Sequence, residues 1–152
     1  MRLSAQGLDF ISRYEGCVLH IYQDSAGFDT IGFGHLITPN DPDFSAGITT
    51  AQAKALLAVD SEIVQNAMNS LCRVPLNQYQ FDALVDFTFN LGAKHLSESR
   101  LLRTINARQP VIEDLFTAWA KAGGFLRSGL LKRREAEWAL YAAGDYGAAL
   151  AA

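Results

Sequence analysis

The sequence predicts an α+β fold in which a small antiparallel β-hairpin lobe, about residues 15–48, is joined by a long helix to a mainly helical lobe. Three observations carry this prediction. Strand formers and turn residues alternate only within residues 17–37, an apolar stripe at helical spacing runs from Ala53 to Leu71, and the chain beyond Pro75 repeats helix starts and glycine stops. At 152 residues, 49% apolar and 19% charged, the chain reads as one domain over residues 1–152 with its own core and no need of a disulfide.

Taken in order, Ser4 caps a first helix running to about Tyr14, with Leu8, Ile11 and Tyr14 at three-residue steps and Gly16 as its stop. Val18, Ile21 and Tyr22 mark a first strand, and residues 23–27 (QDSAG) read as a turn. A second run over residues 28–37 completes the hairpin, with Gly32 and Gly34 alternating along it and leaving one face open to close approach. Residues 38–47, rich in proline, asparagine and serine, are a surface loop.

Thr49 and Gln52 have capping-box spacing, and Ala53, Leu56, Leu57, Ile63, Val64, Ala67, Met68 and Leu71 mark the inner face of the long helix that follows. Asn77 and Gln80 repeat the box and open a helix ending near Gly92 that is apolar on several sides, with Phe81, Leu84, Val85, Thr88 and Phe89 inward. Ser97 or Ser99 starts a short helix through Ile105. Pro110 then begins a helix that Gly123 and Gly124 break. A final helix over residues 130–142 turns Leu131, Trp138 and Tyr141 inward and stops at Gly144, and residues 146–152 are too few to add much.

Composition excludes several classes of function. The N-terminus lacks a secretory h-region, and no stretch is long and apolar enough for a membrane span, so neither export by a leader nor stable membrane insertion is expected. Cys17 and Cys72 lack metal-like spacing and are expected to be free thiols. No His/carboxylate cluster calls for a metal, and no cofactor or nucleic-acid partner is implied. Although the net charge is −3, residues 94–134 hold nine Lys/Arg against three Asp/Glu, a segment suited to an anionic polymer through contacts that weaken with salt.

The residues that invite chemistry lie in residues 15–35, EGCVLHIYQDSAGFDTIGFGH. Glu15 falls at a helix C-terminus, where unpaired carbonyls disfavour an ionised carboxylate, which suits a proton donor. Asp24 lies in a polar turn, which suits the ionised partner, and the Thr30 hydroxyl can hold a water. Glycosidic hydrolysis needs such a pairing of acid and opposing carboxylate. Each residue taken alone is also common as scaffolding, since Asp and Gly make turns routinely.

Glu15, eight residues, Asp24, five residues, Thr30 and then IGFGH resembles the catalytic pattern of the phage-type lysozymes, the endolysins of glycoside hydrolase family 24. The resemblance continues through GITTAQAKALLAVD, QFDALVDFTFNLG, SESRLLRTINA and AGGFLRSGLLKRREAEW, nearly the whole chain. It implies a lysozyme-like fold and muramidase activity on peptidoglycan glycan strands, with Glu15 as general acid, Asp24 as the activating or stabilising carboxylate and Thr30 positioning water, and hence inversion. It further implies Gly34, Leu36 and Asn90 as substrate-binding positions, Asn90 toward the sugar N-acetyl group. His35 paired with Asp60 would clamp hairpin to body, and one of Arg133 or Arg134, with Arg134 preferred, would reach back to Glu15. Phe33 stands where many relatives have tyrosine, and Arg100 where a small polar residue is common, which would alter the cleft rim.

A monomer suffices for a single-cleft hydrolase. The resemblance implies an enzyme of host cell lysis, held in the host bacterial cytoplasm until released to the wall. The alternatives are a lytic transglycosylase, against which Asp24 and Thr30 both argue; a wall-binding module, which would lack the acid; and the same domain used as an injected or tail-borne effector.

Overall fold

The computed structural model describes residues 1–147, so residues 148–152 of the closing stretch lie outside it. Among the described residues, helix α1 (Ala5–Tyr14) leads into a three-stranded antiparallel sheet of β1 (Val18–Gln23), β2 (Asp29–Gly32) and β3 (His35–Leu36) in that spatial order. Helices α2 (Thr50–Leu71), α3 (Gln78–Leu91), α4 (Ala93–Glu98), α5 (Arg100–Asn106) and α6 (Asp114–Thr117) follow. A small hairpin, β4 (Lys121–Ala122) and β5 (Phe125–Leu126), then precedes α7 (Ser128–Ala143). The α+β class is as the sequence predicts.

Local signals set the helix starts. The Ser4 hydroxyl accepts from Gly7 N at 2.9 Å, and full capping boxes join Thr49 to Gln52 and Asn77 to Gln80. Helix α3 is the centre of the body, with every residue from Phe81 to Thr88 buried and α1, α2, α4 and α7 packed around it. Burying each large apolar side chain there, Phe81, Leu84 and Phe87 among them, contributes about 1.5–3 kcal/mol. Phe87 meets Phe116 and Trp119 edge-on, with ring centroids 5.7 and 6.0 Å apart.

Several expectations are corrected. Residues 28–37 are not one strand: Gly32 and Gly34, with φ of 68° and 88°, turn the chain between β2 and β3. Gly32 is needed for packing as well, because a Cβ there would come 3.3 Å from Ala53 Cβ on α2. On α2 the buried positions are Ala53, Leu57, Ser61 and Met68, while Ile63 is 78% exposed. Two residues from Ser61 is roughly 200° round the helix, so Ile63 points to solvent.

Ser99 caps α5, as one of the two expected starts, but α4 before it carries no side-chain cap and so no start signal in the sequence. The helix expected from Pro110 shrinks to the four residues of α6, and Arg108 at φ 55° turns the chain ahead of it. Gly123 and Gly124, read as a helix break, are the left-handed pair of the β4–β5 turn. Tyr146, expected to add little, donates its hydroxyl to buried Asp82 at 2.7 Å while its carbonyl accepts from Arg13.

The largest departure is on α7. Leu131 and Trp138 are only half-buried, and the buried face is Arg133, Arg134, Ala136, Glu137, Leu140 and Tyr141. Charged residues line the inside of the helix because α3 meets them with Asp86, itself fully buried.

Candidate active site

The end of α1 delivers Glu15, the C-cap residue, with its backbone already extended (φ −95°, ψ 132°). Its Oε1 lies 2.9 Å from Arg133 Nη1, and its side chain is 25% exposed. The cation that reaches Glu15 is therefore Arg133, which corrects the preference for Arg134. Successive residues on a helix point about 100° apart, so only one of the pair can face the end of α1. Arg134 instead donates from Nη2 to Asn90 Oδ1 at 3.0 Å and to Glu137 Oε1 at 2.6 Å, with its guanidinium 5.1 Å from the centre of the Phe87 ring.

Arg133 is held from three sides. Its Nε and Nη2 donate to the two Asp86 carboxylate oxygens at 3.0 and 2.8 Å, a fork-to-fork pair. Its guanidinium also lies 5.1 Å from the centre of the Tyr14 ring, next in sequence to Glu15. Burial opposes its charge, but Asp86 foremost, then Glu15 and Glu137, more than offset this and raise its pKa. Burial and the Asp86 charge together push the Tyr14 hydroxyl up to about 12.

Glu137 balances the cluster. It is fully buried, and desolvation first, then the neighbouring Asp86 charge and a hydrogen bond to Asp86, hold its carboxyl well above the usual range. Its Oε1 lies 2.6 Å from Arg134 Nη2 and 3.7 Å from Arg133 Nε. A raised folded-state value makes protonation stabilising. That contribution is complete below the unfolded glutamate value and is lost as pH rises through the folded one. Wild-type Tm should therefore fall as pH is raised out of the acid range, and Glu137→Gln, which mimics the neutral acid, should flatten that fall and keep the fold. Melting curves across pH check this, and an unchanged slope in Glu137→Gln would contradict it.

The sheet carries the other two groups. Asp24 closes the β1–β2 turn, its Oδ1 accepting from Ala26 N at 2.8 Å and Phe28 N at 3.0 Å, while among the described residues Oδ2 accepts none. Thr30, 3% exposed on β2, donates its hydroxyl to the Phe28 carbonyl at 2.9 Å. That same carbonyl accepts from Asp24 N at 3.0 Å, so one oxygen ties the aspartate to the threonine. Tyr22 and Leu36 are the cross-strand partners of Thr30 and share its face; Leu36 is 49% exposed and Gly34 is open. Asn90, half-buried, lies one turn of α3, roughly 6 Å, beyond Asp86.

His35 Nδ1 lies 2.9 and 3.0 Å from the Asp60 oxygens on α2, and its Nε2 lies 3.3 Å from Asp41 Oδ1. The imidazole thus links β3, the following loop and the long helix. Hydrogen bonds from Thr38 first, with a smaller share from His35, hold the half-buried Asp41 carboxyl below its usual range. His35→Ala should lower Tm by about 3 °C, equivalent to about 1 kcal/mol, with kcat within about twofold of wild type. Thermal melts set beside initial rates check this; a large loss of kcat at unchanged Tm would contradict it.

Seven of the nine basic residues in the positive segment are exposed, while Arg133 and Arg134 are inside. Arg100 lines a cavity of about 480 Å³ with Arg103, Ile112, Asp114 and Trp119, and neither Glu15, Asp24 nor Thr30 lines it. Cys17, two residues from Glu15, is exposed, and both cysteines are free. Among the described residues no group of three His, Cys, Asp or Glu is arranged to hold a metal. Among the described residues no helix is long and apolar enough to cross a membrane. Asp86 and Glu137 are the site residues that sequence reasoning did not assign, and Arg133 was the less favoured of its two candidate arginines. The available signal was Asp86 itself, a carboxylate inside a helix read as buried, which requires a cation from elsewhere.

The family model described as phage lysozyme matches residues 12–137. The endolysin of Salmonella phage P22 is 39% identical over 144 residues, covering 93% of this chain and 98% of its own. Among solved structures, the endolysin from Escherichia coli O157:H7 phage FAHEc1 superposes with a TM-score of 0.83 at 35% identity, over 96% of both chains. The muramidase domain of SpmX from Asticaccaulis excentricus does so at 0.81 and 31% identity, over 93% of this chain and 97% of that domain.

Proposed function

This chain belongs to the phage lysozyme family and is a peptidoglycan-degrading glycoside hydrolase, and from that premise we propose that Glu15, Asp24 and Thr30 carry its chemistry. The bond cleaved is the β-1,4 link between N-acetylmuramic acid and N-acetylglucosamine. Glu15 protonates the departing oxygen. Asp24 takes a proton from a water that attacks the anomeric carbon from the opposite face, so the configuration inverts.

The observation that supports this reading best is the commitment of the Thr30 proton to the Phe28 carbonyl. With that proton used, the hydroxyl can only accept. A water that donates one proton to Thr30 Oγ1 and the other to Asp24 keeps its lone pairs for the anomeric carbon. Gly34, Leu36 and Asn90 line the substrate path, and the His35 to Asp60 link keeps the sheet in register with α2.

The enzyme acts as a monomer on glycan strands without nucleic acid or a cofactor, in phage-type lysis, reaching the wall from the host bacterial cytoplasm. Mass spectrometry of the muropeptides it releases tests hydrolysis. Free reducing ends, one water heavier than anhydro ends, are expected; anhydro-muramyl ends would replace this reading with a lytic transglycosylase.

A further inference from the structure

We propose that Asp86 is a positioning residue for the acid Glu15: it occupies the two-donor edge of Arg133 and so keeps that guanidinium from closing on both oxygens of the Glu15 carboxyl. The inference rests on the reading of Glu15 as general acid. It goes beyond that reading by giving a part in the reaction to a carboxylate that lies too deep to meet the substrate.

Arg133 sets a conflict beside the acid. Glu15 needs an oxygen to carry the proton it delivers, and a guanidinium carries donors alone, so an oxygen that accepts from it is not the one that bears the proton. Arginine and carboxylate commonly pair fork to fork, which would engage both oxygens of Glu15. Here the fork faces elsewhere. Nε and Nη2 donate to Asp86 Oδ2 and Oδ1 at 3.0 and 2.8 Å, and the Tyr14 ring covers one face of the guanidinium, its centre 5.1 Å from Cζ. Held by edge and face, Arg133 meets Glu15 through Nη1, 2.9 Å from Oε1, and among the described residues no hydrogen bond reaches Oε2.

Burial decides which carboxylate takes the fork. The Asp86 side chain is 0% exposed and that of Glu15 25%, so water compensates Glu15 in part and Asp86 not at all. The deeper anion gains more from the paired donors. Glu137 does not compete, because its Oε1 lies 3.7 Å from Arg133 Nε and 2.6 Å from Arg134 Nη2. With the Asp86 charge removed, Arg133 is still buried, and Glu15 is the carboxylate it already touches. The guanidinium then turns its paired donors onto Glu15, and neither oxygen is left for the proton.

Asp86→Asn tests this, since asparagine keeps the shape and offers Arg133 one acceptor atom in place of two. On peptidoglycan strands kcat should fall about 30-fold, with KM within about twofold of wild type because the glycan's own contacts are untouched. In the Glu15→Gln background, read by reducing-end release at high enzyme concentration, the same change should add less than about twofold, there being no acid left to misplace. Removing the cation as well should restore activity: Asp86→Asn with Arg133→Met should turn over at least about fivefold faster than Asp86→Asn alone, an order that loss of packing cannot produce. Wild-type kcat in Asp86→Asn, an equal fall in both backgrounds, or a double variant slower than Asp86→Asn would each overturn the proposal. Should Asp86→Asn melt below the assay temperature, Asp86→Leu with Arg133→Met, which replaces the buried pair by apolar side chains, is set against Arg133→Met. Rates within about threefold are expected there, and a fall of more than about tenfold would show that Asp86 acts without Arg133 and overturn the proposal. Full activity in Glu15→Gln would instead defeat the reading of Glu15 as acid, a separate outcome.

Discussion

Glu15→Gln should abolish nearly all activity, lowering kcat by about 10³-fold while the protein stays folded. Glutamine matches the shape of glutamic acid and can still accept from Arg133 Nη1, now 2.9 Å from the carboxylate oxygen, so the end of α1 keeps its anchor. Arg133 also keeps its bidentate pairing with Asp86, and the loss of one partly exposed partner should move Tm by no more than about 3 °C. What glutamine cannot do is give a proton to a departing sugar oxygen. Turbidity loss of a peptidoglycan suspension, read beside a thermal melt, checks both halves. Retention of more than about a tenth of the activity would remove Glu15 from the role of acid.

Arg133→Met should be the most destabilising single change in the site. Methionine fills part of the volume but leaves Asp86, fully buried, without its cation, and removes the link from α7 to Glu15. Breaking one side of a buried ion pair costs about 3–5 kcal/mol, or a fall in Tm of about 10 °C in a chain of this size. Activity should fall as well, because the same guanidinium holds Glu15 and packs on Tyr14. Arg133→Lys, which keeps the charge and loses the fork, should fall between the two. A melt of Arg133→Met within about 2 °C of wild type would show that Asp86 finds another partner, and would dismantle the cluster as described.

Local rules made much of the fold legible in the sequence. The capping boxes at Thr49 and Asn77 and the Gly144 stop are contests between a few neighbouring atoms, and they fell where the residues put them. Legibility failed where the deciding partner was distant. Two-residue strands such as β4 and β5 have no alternation to read, and only the left-handed pair Gly123 and Gly124 betrays the hairpin. The run KRREAEW looks like a solvated helix face until Asp86 on α3 is set opposite it.

The site divides the same way. The roles proposed for Glu15, Asp24 and Thr30 came from spacing and resemblance. The choice between Arg133 and Arg134 did not, because it depends on how α7 is rotated against α1 and α3. That rotation is fixed by Asp86, Phe87 and Asn90 together.

The measurement that bears most directly on the chemistry is the anomeric configuration of the product at the moment of release, followed by NMR before mutarotation. A water held between Thr30 and Asp24 attacks the face opposite the departing oxygen, so the account predicts that the new reducing end appears first as the α-anomer. A β-anomer appearing first would mean two displacements through a glycosyl-enzyme, and would contradict the assignment of Asp24 and Thr30 to a water.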